Sequence, residues 1–249
     1  MFTTAAQPAA TTGWSGTNHE RLRAAPRRHE QSTNLVVLGA AGRTGRLVVE
    51  HALAAGHSVT ALVRSPEKLT LRHPKLRVVV GDATDPAALS PALEGAEAVI
   101  SALGSRGPVI ADSSRALVAA ALQAGVGRVV VLSSWLVQQD HMPALTRVLT
   151  GIAMGSVIRD KAAGEDLIRD SDLDWTIVYP SVLTDGPAVG SVVLPDGATR
   201  GISERISRAD VATWLVNAAT EDRYSGQGVG ITGLAEPSRR FRTEAANHA

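Results

Sequence analysis

Short apolar runs alternate with longer amphipathic segments from residue 34 onward. The runs are typical of strands buried on both faces. They cover residues 35–38, 57–63, 76–80, 96–102, 128–132, 173–179 and 228–232. The segments between them have apolar residues at helical spacing. These predict helices over residues 43–55, 86–93, 113–124, 155–170 and 207–220. Strands alternating with helices predict an α/β fold, a doubly wound parallel Rossmann-type sheet with right-handed crossovers.

The two ends of the chain lack this periodicity. Residues 1–33 are rich in Ala, Thr, Pro, Gly and Arg, and residues 235–249 are polar. We therefore predict disordered tails around a single domain over residues 34–234. The first tail is basic but has no apolar segment after it, which excludes a secretory signal and leaves a targeting or partner-binding arm as the alternative.

Composition excludes several classes of function. A net charge of +1 provides no strong field for nucleic acid, and no apolar run approaches the roughly 20 residues that cross a bilayer. The absence of cysteine excludes disulfides, thiolate catalysis and Cys-based zinc sites. No His and carboxylate cluster has metal-ligand spacing, so no metal is predicted. We expect a cytoplasmic protein, a monomer or weak homodimer, that binds neither nucleic acid nor membrane and acts on a small molecule.

Three glycines, Gly39, Gly42 and Gly45, separate the first predicted strand from the first predicted helix. The first allows a sharp turn, the second lets the backbone approach a pyrophosphate, and the third lets the helix pack against the strand. The helix start offers free N–H groups to a phosphate. This order predicts a dinucleotide site that also includes Ala41, Arg43 and Thr44.

The second strand indicates which dinucleotide is bound. A carboxylate at its end would favour NAD, but Arg64 stands there and can pair with the 2′-phosphate of NADP(H). Asp82, after the third strand, either accepts from the adenine amino group or is a plain turn carboxylate. Ala102, Leu103 and Gly104 follow the fourth strand and are expected to line the same site.

Several motifs in this order resemble the atypical short-chain dehydrogenase/reductases of the NAD(P)H-binding type, among them the biliverdin reductase B/flavin reductase-like and NmrA-like proteins. They are GAAGRTG at residues 39–45, LVRS at 62–65, GD at 81–82, SS at 133–134 and DWTIVYP at 174–180. The resemblance covers about residues 34–234. It implies a seven-stranded sheet, hydride transfer from a nicotinamide, and a hairpin and helix over residues 192–210.

Candidate catalytic residues follow the fifth strand. Ser133 and Ser134 could place a hydroxyl at the oxygen of a carbonyl under reduction, and Ser134 matches the family's active-site serine. Classical members use a Tyr four residues before a Lys. Lys161 is present and could anchor the nicotinamide ribose, but Val157 stands where the tyrosine is expected.

The residues at the end of the sixth strand also leave open which group donates the proton. Tyr179, Pro180 and Val182 are expected at the nicotinamide, but the biliverdin-reductase-like group has a histidine where this chain has Val182. The proton then comes from solvent, from a substrate hydroxyl, from His141 or from Tyr179.

Two apolar segments, residues 135–154 and 184–206, are predicted to cover the nicotinamide as a small substrate-covering region, although a core-facing helix is an equal alternative for most of the first. We expect an NADPH-dependent reductase of a small, aromatic or polyketide-like ketone. A flavin, biliverdin-type or quinone reductase is a second possibility. A non-catalytic NADP-sensing regulator is a third, because the tyrosine is missing.

Overall fold

The computed structural model describes residues 32–104, 109–138, 144–194 and 204–234, with the backbone alone for residues 144–147. The two predicted tails lie outside these residues, apart from residues 32 and 33, and so does His141. Within the described part of the chain, no helix is both long and apolar enough to cross a membrane.

Ten strands and five helices follow one another along these residues. The strands are β1 (Asn34–Leu38), β2 (Ser58–Val63), β3 (Leu76–Val80), β4 (Ala98–Ser101), β5 (Arg128–Leu132), β6 (Asp174–Pro180), β7 (Val182–Thr184), β8 (Ser191–Val193), β9 (Arg205–Ser207) and β10 (Gln227–Gly233). The helices are α1 (Arg43–Ala54), α2 (Pro86–Leu93), α3 (Ile110–Ala124), α4 (Ala144–Arg169) and α5 (Arg208–Thr220). Every element that the hydrophobic pattern predicts is present.

Eight strands form the main sheet, in the order β3-β2-β1-β4-β5-β6-β10-β8. All neighbours in it are parallel except β8, which runs antiparallel to β10. The order reverses between β1 and β4, and such a reversal opens a crevice at the carboxyl ends of the strands. The predicted doubly wound Rossmann-type fold is confirmed.

The covering region differs from the expected hairpin, and the sheet has one strand more than the seven expected. β8 pairs with β10, with Val193 opposite Ile231, whereas β9 pairs in parallel with β7 as a separate two-stranded sheet. Each of β7, β8 and β9 has three residues. Segments so short carry too little alternation to identify their partners.

Two apolar cores cover the faces of the sheet. Because side chains alternate along a strand, Val37 of β1 points to the core under α1 and α5, and Val36 points to the core under α2, α3 and α4. α4 begins at Ala144, eleven residues before the prediction, because it continues through Gly151 and Gly155. A single glycine costs a helix only about 1 kcal/mol relative to alanine, so a helix can continue through it.

Candidate active site

A cleft of about 1330 Å³ opens at the carboxyl ends of the parallel strands. Residues that directly follow five of these strands line it, namely Gly39, Arg64, Gly81, Ala102 and Ser133. Its wall contains Ser134 and every residue predicted to contact the cofactor except Gly45 and Tyr179. The strand order therefore brings together side chains that are far apart in the sequence.

The glycine turn is packed so closely that side chains do not fit. Gly39 has a φ of 77°, and a Cβ on it would lie 2.7 Å from the Ala102 carbonyl oxygen. A Cβ on Gly45 would collide with the Gly39 carbonyl oxygen, so Gly45 lies beneath the turn and lets α1 approach β1. This is the role predicted for the third glycine, and it explains why Gly45 is absent from the cleft wall.

The start of α1 suits an anion. Its N-cap is Gly42, which provides no side-chain hydrogen bond to the helix, and the first turn has no acidic residue. The first N–H groups of the helix thus have no side-chain cap, and the helix dipole adds a partial positive charge. Together with the cradle around Gly39, these residues fit the pyrophosphate of a dinucleotide.

Arg64 lines the cleft at the end of β2. Its side chain is 77% exposed, and its guanidinium lies 4.0 Å from the Asp82 carboxylate. Asp82 Oδ1 accepts from the backbone N–H and the hydroxyl of Thr84, both at 2.9 Å. These two bonds, more than Arg64, lower the pKa of Asp82. Asp82 is therefore a turn carboxylate, and it also lines the cleft.

Arg43 and Arg208 both line the cleft. Both pair with Asp185, which follows β7; the Arg208 contact measures 2.9 Å. Arg208 is the first residue of α5, whose N-cap Ser207 accepts a hydrogen bond from the Asp210 N–H. This cap begins α5 at Arg208 and positions a mostly buried arginine at the cleft.

The two serines after β5 differ in their partners. Ser133 is buried, and its hydroxyl donates to Glu165 Oε1. Ser134 is half-buried, and its Oγ accepts from the Leu136 N–H at 3.3 Å at the start of a short 3₁₀ helix, residues Trp135–Val137. An oxygen that accepts this bond keeps its own proton to donate. Of the two hydroxyls, that of Ser134 is the one left to serve the cleft.

Lys161 of α4 reaches the same wall. Burial lowers the pKa of its ammonium, while the charges of Glu165 and Asp160 raise it against that effect. Asp160 accepts from the backbone N–H groups of Ile110 and Ala111, at 2.8 and 3.1 Å, and so caps α3. This cap explains why α3 begins three residues before the prediction.

Tyr179 does not line the cleft, contrary to the prediction. Its side chain joins the core under α2, α3 and α4, and its hydroxyl donates to Glu165 Oε2 at 2.5 Å. Burial and Glu165 strongly raise the pKa of this phenol. Tyr179 points into this core, whereas Pro180, Ser181 and Val182, which follow it in the chain, line the cleft. Its suggested role as a proton donor therefore has no support.

The family model for NAD(P)H-binding proteins matches residues 39–222. The chain belongs to the NAD(P)H-binding family. One relative is the (4-alkanoyl-5-oxo-2,5-dihydrofuran-3-yl)methyl phosphate reductase of Streptomyces griseus. It is 32% identical to this chain over 219 residues, which cover 84% of this chain and 71% of the relative. The family relationship makes this chain a member of the NAD(P)H-dependent reductases and confirms the resemblance drawn from its motifs.

Two solved structures share the fold of this NAD(P)H-binding chain. The anaerobilin reductase ChuY of Escherichia coli O157:H7 superposes with a TM-score of 0.70 at 24% identity, covering 83% of this chain and all of the other. A short-chain dehydrogenase/reductase of Veillonella parvula, solved in complex with NADP, gives 0.68 at 21% identity, covering 84% and 96%. At these identities, the likeness establishes the fold alone.

The predicted apolar cover is only partly present in the described residues of this family member. Trp135 lines the cleft beside Ser134, and Leu183 lines it after β6. Val148, Leu149 and Ile152 of α4 are instead exposed and absent from the cleft wall. They do not face the core, so the core-facing alternative is wrong for these three residues, and a role for them in covering the nicotinamide stays a prediction.

Sequence reasoning missed two residues that organise the site. Glu165 lies four residues after Lys161, a spacing that places both on one face of a helix and could have identified it. Arg208 lies at the start of a predicted helix, but nothing in the local pattern indicates that its side chain reaches the cleft. Its position depends on how α5 packs beside α1.

Proposed function

We propose that the protein is an NADPH-dependent reductase that transfers hydride to a small aromatic or polyketide-like ketone. The observation that carries the proposal is the convergence of Ser134, Trp135 and Lys161 on one wall of a cleft whose other half fits a dinucleotide. A hydroxyl donor, an aromatic surface and a cation are the groups that a carbonyl reduction needs beside the cofactor.

The preference for NADPH over NADH is argued from the end of β2. Arg64 and Lys68 line the cleft there, and the chain has no carboxylate directly after the strand. An arginine fork pairs with a phosphate through two parallel hydrogen bonds. The exposed Arg64 guanidinium is free to turn from Asp82, with which its contact is long, towards a 2′-phosphate.

Each residue then has a defined task. When bound, NADPH supplies the hydride. The Ser134 hydroxyl donates to the substrate oxygen, where negative charge develops, and Trp135 offers a flat face to an aromatic ring. Lys161 holds the ribose next to the nicotinamide. The protein thereby contributes mainly position and electrostatic stabilisation, because the residue at the position of the usual catalytic tyrosine is Val157.

The test is NADPH oxidation by the purified protein with a panel of acceptors. The panel contains aromatic and polyketide-like ketones, quinones, flavin, biliverdin and the furanone phosphate named for the Streptomyces relative. Turnover of ketones supports the proposal. Turnover confined to flavin, biliverdin or quinones would replace it with the second class of reductase. Tight NADPH binding without turnover of any acceptor would instead indicate a cofactor-sensing regulator.

The remaining expectations belong to the same proposal. We propose that the protein acts on its small-molecule substrate in the cytoplasm, without nucleic acid or membrane, as a monomer or weak homodimer. Sedimentation velocity between low and high micromolar concentrations tests the oligomeric state. A species larger than a dimer across this range would contradict it.

A further inference from the structure

Two arginines from different helices meet at one carboxylate beside the cleft. Asp185 follows β7, and each of its oxygens accepts from a different guanidinium, Oδ1 from Arg208 at 2.9 Å and Oδ2 from Arg43. Both arginines line the cleft, whereas Asp185 lies outside its wall. Arginine forks are the groups with which proteins recognise carboxylates and phosphates. In this structure the bound carboxylate belongs to the chain itself.

The strand register explains how the carboxylate reaches these cations. β7 and β9 pair in parallel with Thr184 opposite Ser207, so the next residues along, Asp185 and Arg208, leave the two strands side by side. Arg208 begins α5, and Arg43 begins α1. The first turn of a helix carries a partial positive charge. Two helix starts and two side chains thus gather positive charge at one point.

The arginine pair lies towards the half of the cleft that is proposed for the substrate. Val182 and Leu183 of β7 line the cleft just before Asp185, and β7 directly follows β6. β6 lies on the side of the β1–β4 reversal away from Arg64. Arg43 belongs to the glycine turn, but its contact with Asp185 carries its guanidinium towards β7.

The cleft wall contains more positive charge than the proposed cofactor site uses. Of the described residues that line the cleft, one is acidic, Asp82, and five are cationic, namely Arg43, Arg64, Lys68, Lys161 and Arg208. The proposed NADPH site uses the cations after β2 for the 2′-phosphate, the lysine of α4 for the ribose and the first N–H groups of α1 for the pyrophosphate. Arg43 and Arg208 are left for a second anion.

Exposure indicates which partner of the pair a ligand can replace. The Arg43 and Asp185 side chains are each 67% exposed, whereas that of Arg208 is 14% exposed. An ion pair between exposed groups adds little stability because water solvates both partners, so Asp185 can leave Arg43 at small cost. A mostly buried guanidinium, in contrast, is costly without an anion. Arg208 therefore requires another oxyanion whenever Asp185 moves away.

We propose that Arg43 and Arg208 form an oxyanion subsite for the substrate, which Asp185 occupies until the substrate binds, and that the acceptor ketone carries a phosphate or carboxylate group. This inference rests on the proposed reductase function, but the subsite can be tested without turnover. The anionic group anchors the ketone away from its carbonyl and so helps to orient it for hydride transfer. The exchange with Asp185 is non-covalent.

The binding test uses protein saturated with NADP⁺, so that the phosphate sites of the cofactor are filled. The probes are 1-naphthyl phosphate and 1-naphthoate, with 1-naphthamide as the neutral analogue, and ligand-observed NMR gives each Kd. We expect at least one of the two anions to bind roughly tenfold more tightly than the amide, because hydrogen bonds to a charged group are worth at least that factor. The tighter anion identifies the preferred group. Equal Kd values for all three probes would overturn the proposal.

Variants separate a ligand subsite from an ion pair that only holds β7 in place. Arg208→Gln should weaken the anions roughly tenfold and leave the amide unchanged. Asp185→Asn should tighten the anions, because it removes the competing carboxylate. Weaker binding of all three probes in both variants would show a structural ion pair and overturn the proposal. If Arg208→Gln does not fold, Asp185→Asn still decides by the sign of its effect. Arg46→Gln, which removes an exposed arginine of α1, is the control.

The kinetic test compares the positional isomers of acetylbenzoate with the corresponding acetylbenzamides as acceptors. We expect at least one acid to exceed its amide roughly tenfold in kcat/KM, and Arg208→Gln should abolish the difference by raising KM. Equal kcat/KM for every acid and its amide would overturn the subsite while the proposed reductase function stands. If no ketone is reduced, the proposed function fails, and the binding experiment decides the subsite by itself.

Discussion

Arg64 is the residue that we expect to distinguish the two nicotinamide dinucleotides. Arg64→Ala should weaken NADPH binding by roughly 10- to 100-fold, because a charge-assisted hydrogen bond is worth about 1.5–3 kcal/mol. NADH has no 2′-phosphate and should lose less than threefold. Isothermal titration with both cofactors measures the difference. Arg115→Ala, which removes an exposed arginine of α3, is the control. An equal loss for both cofactors would refute the proposed preference.

Ser134 should act on turnover and leave cofactor binding intact. Removing one hydrogen-bond donor from a developing oxyanion costs on the order of 100-fold in kcat. Ser134→Ala should therefore lower kcat by about that factor, while the Kd for NADPH, measured by fluorescence, changes little. The variant also loses the cap of the 3₁₀ helix, so its Tm serves as a control for folding. A wild-type kcat would remove Ser134 from the mechanism.

At the residue scale, the sequence could show which residues end each strand but not where every side chain points. The cleft residues that directly follow strands, such as Arg64 and Ser133, could be predicted because parallel strands bring their carboxyl ends to one edge. The direction of the Tyr179 side chain could not be predicted in this way, because a shift of one position along β6 moves a side chain to the opposite face of the sheet. Its hydrogen-bond partner, Glu165, lies on a different element, α4.

Among the elements, the junction of β1 and α1 depends most on a single residue. Gly45→Ala places a methyl group against the Gly39 carbonyl oxygen, which is backbone and cannot rotate away. We expect the variant to lose roughly 1–3 kcal/mol of unfolding free energy, the usual cost of overpacking, and to bind NADPH more weakly as the start of α1 shifts. Urea denaturation and titration with NADPH measure the two effects.

Gly151→Ala is the matched control for this substitution. It also replaces a helical glycine, but a Cβ there meets no atom within 4 Å. The change should raise the unfolding free energy by about 0.5–1 kcal/mol through helix propensity, with NADPH affinity unchanged. If Gly45→Ala behaved in the same way, the close approach of α1 to the glycine turn would have no functional importance.

Element prediction was accurate where patterns were long and failed where they were short. β3, α2 and β5 have the predicted bounds, since an apolar run or a capped helix defines each of them. The pairing of β8 with β10 follows from the path of the chain after β6 and has no counterpart in local sequence. α4 extends through two glycines into a segment that is mostly exposed, and a pattern of buried apolar positions does not predict such a segment.

For the whole molecule, the topology explains why the cleft has two chemically different halves. The strands on one side of the β1–β4 reversal carry the glycine turn, Arg64 and Asp82. Those on the other side carry Ser134 and Pro180, with Lys161 delivered from α4. A dinucleotide that spans the reversal would place its adenosine in the first half and its nicotinamide in the second. The overall architecture was predictable from the alternation of elements, whereas nothing in that alternation indicates the substrate.

The most direct test of the account is the transfer of deuterium from NADPH that carries deuterium in place of both hydrogens at C4. The wild-type protein is incubated with the labelled cofactor and the ketone panel, and the alcohols are analysed by mass spectrometry. The account predicts an alcohol that carries one deuterium on the carbinol carbon, since hydride passes directly across the cleft. An alcohol without deuterium on that carbon, or NADPH that is bound but never oxidised, would contradict it.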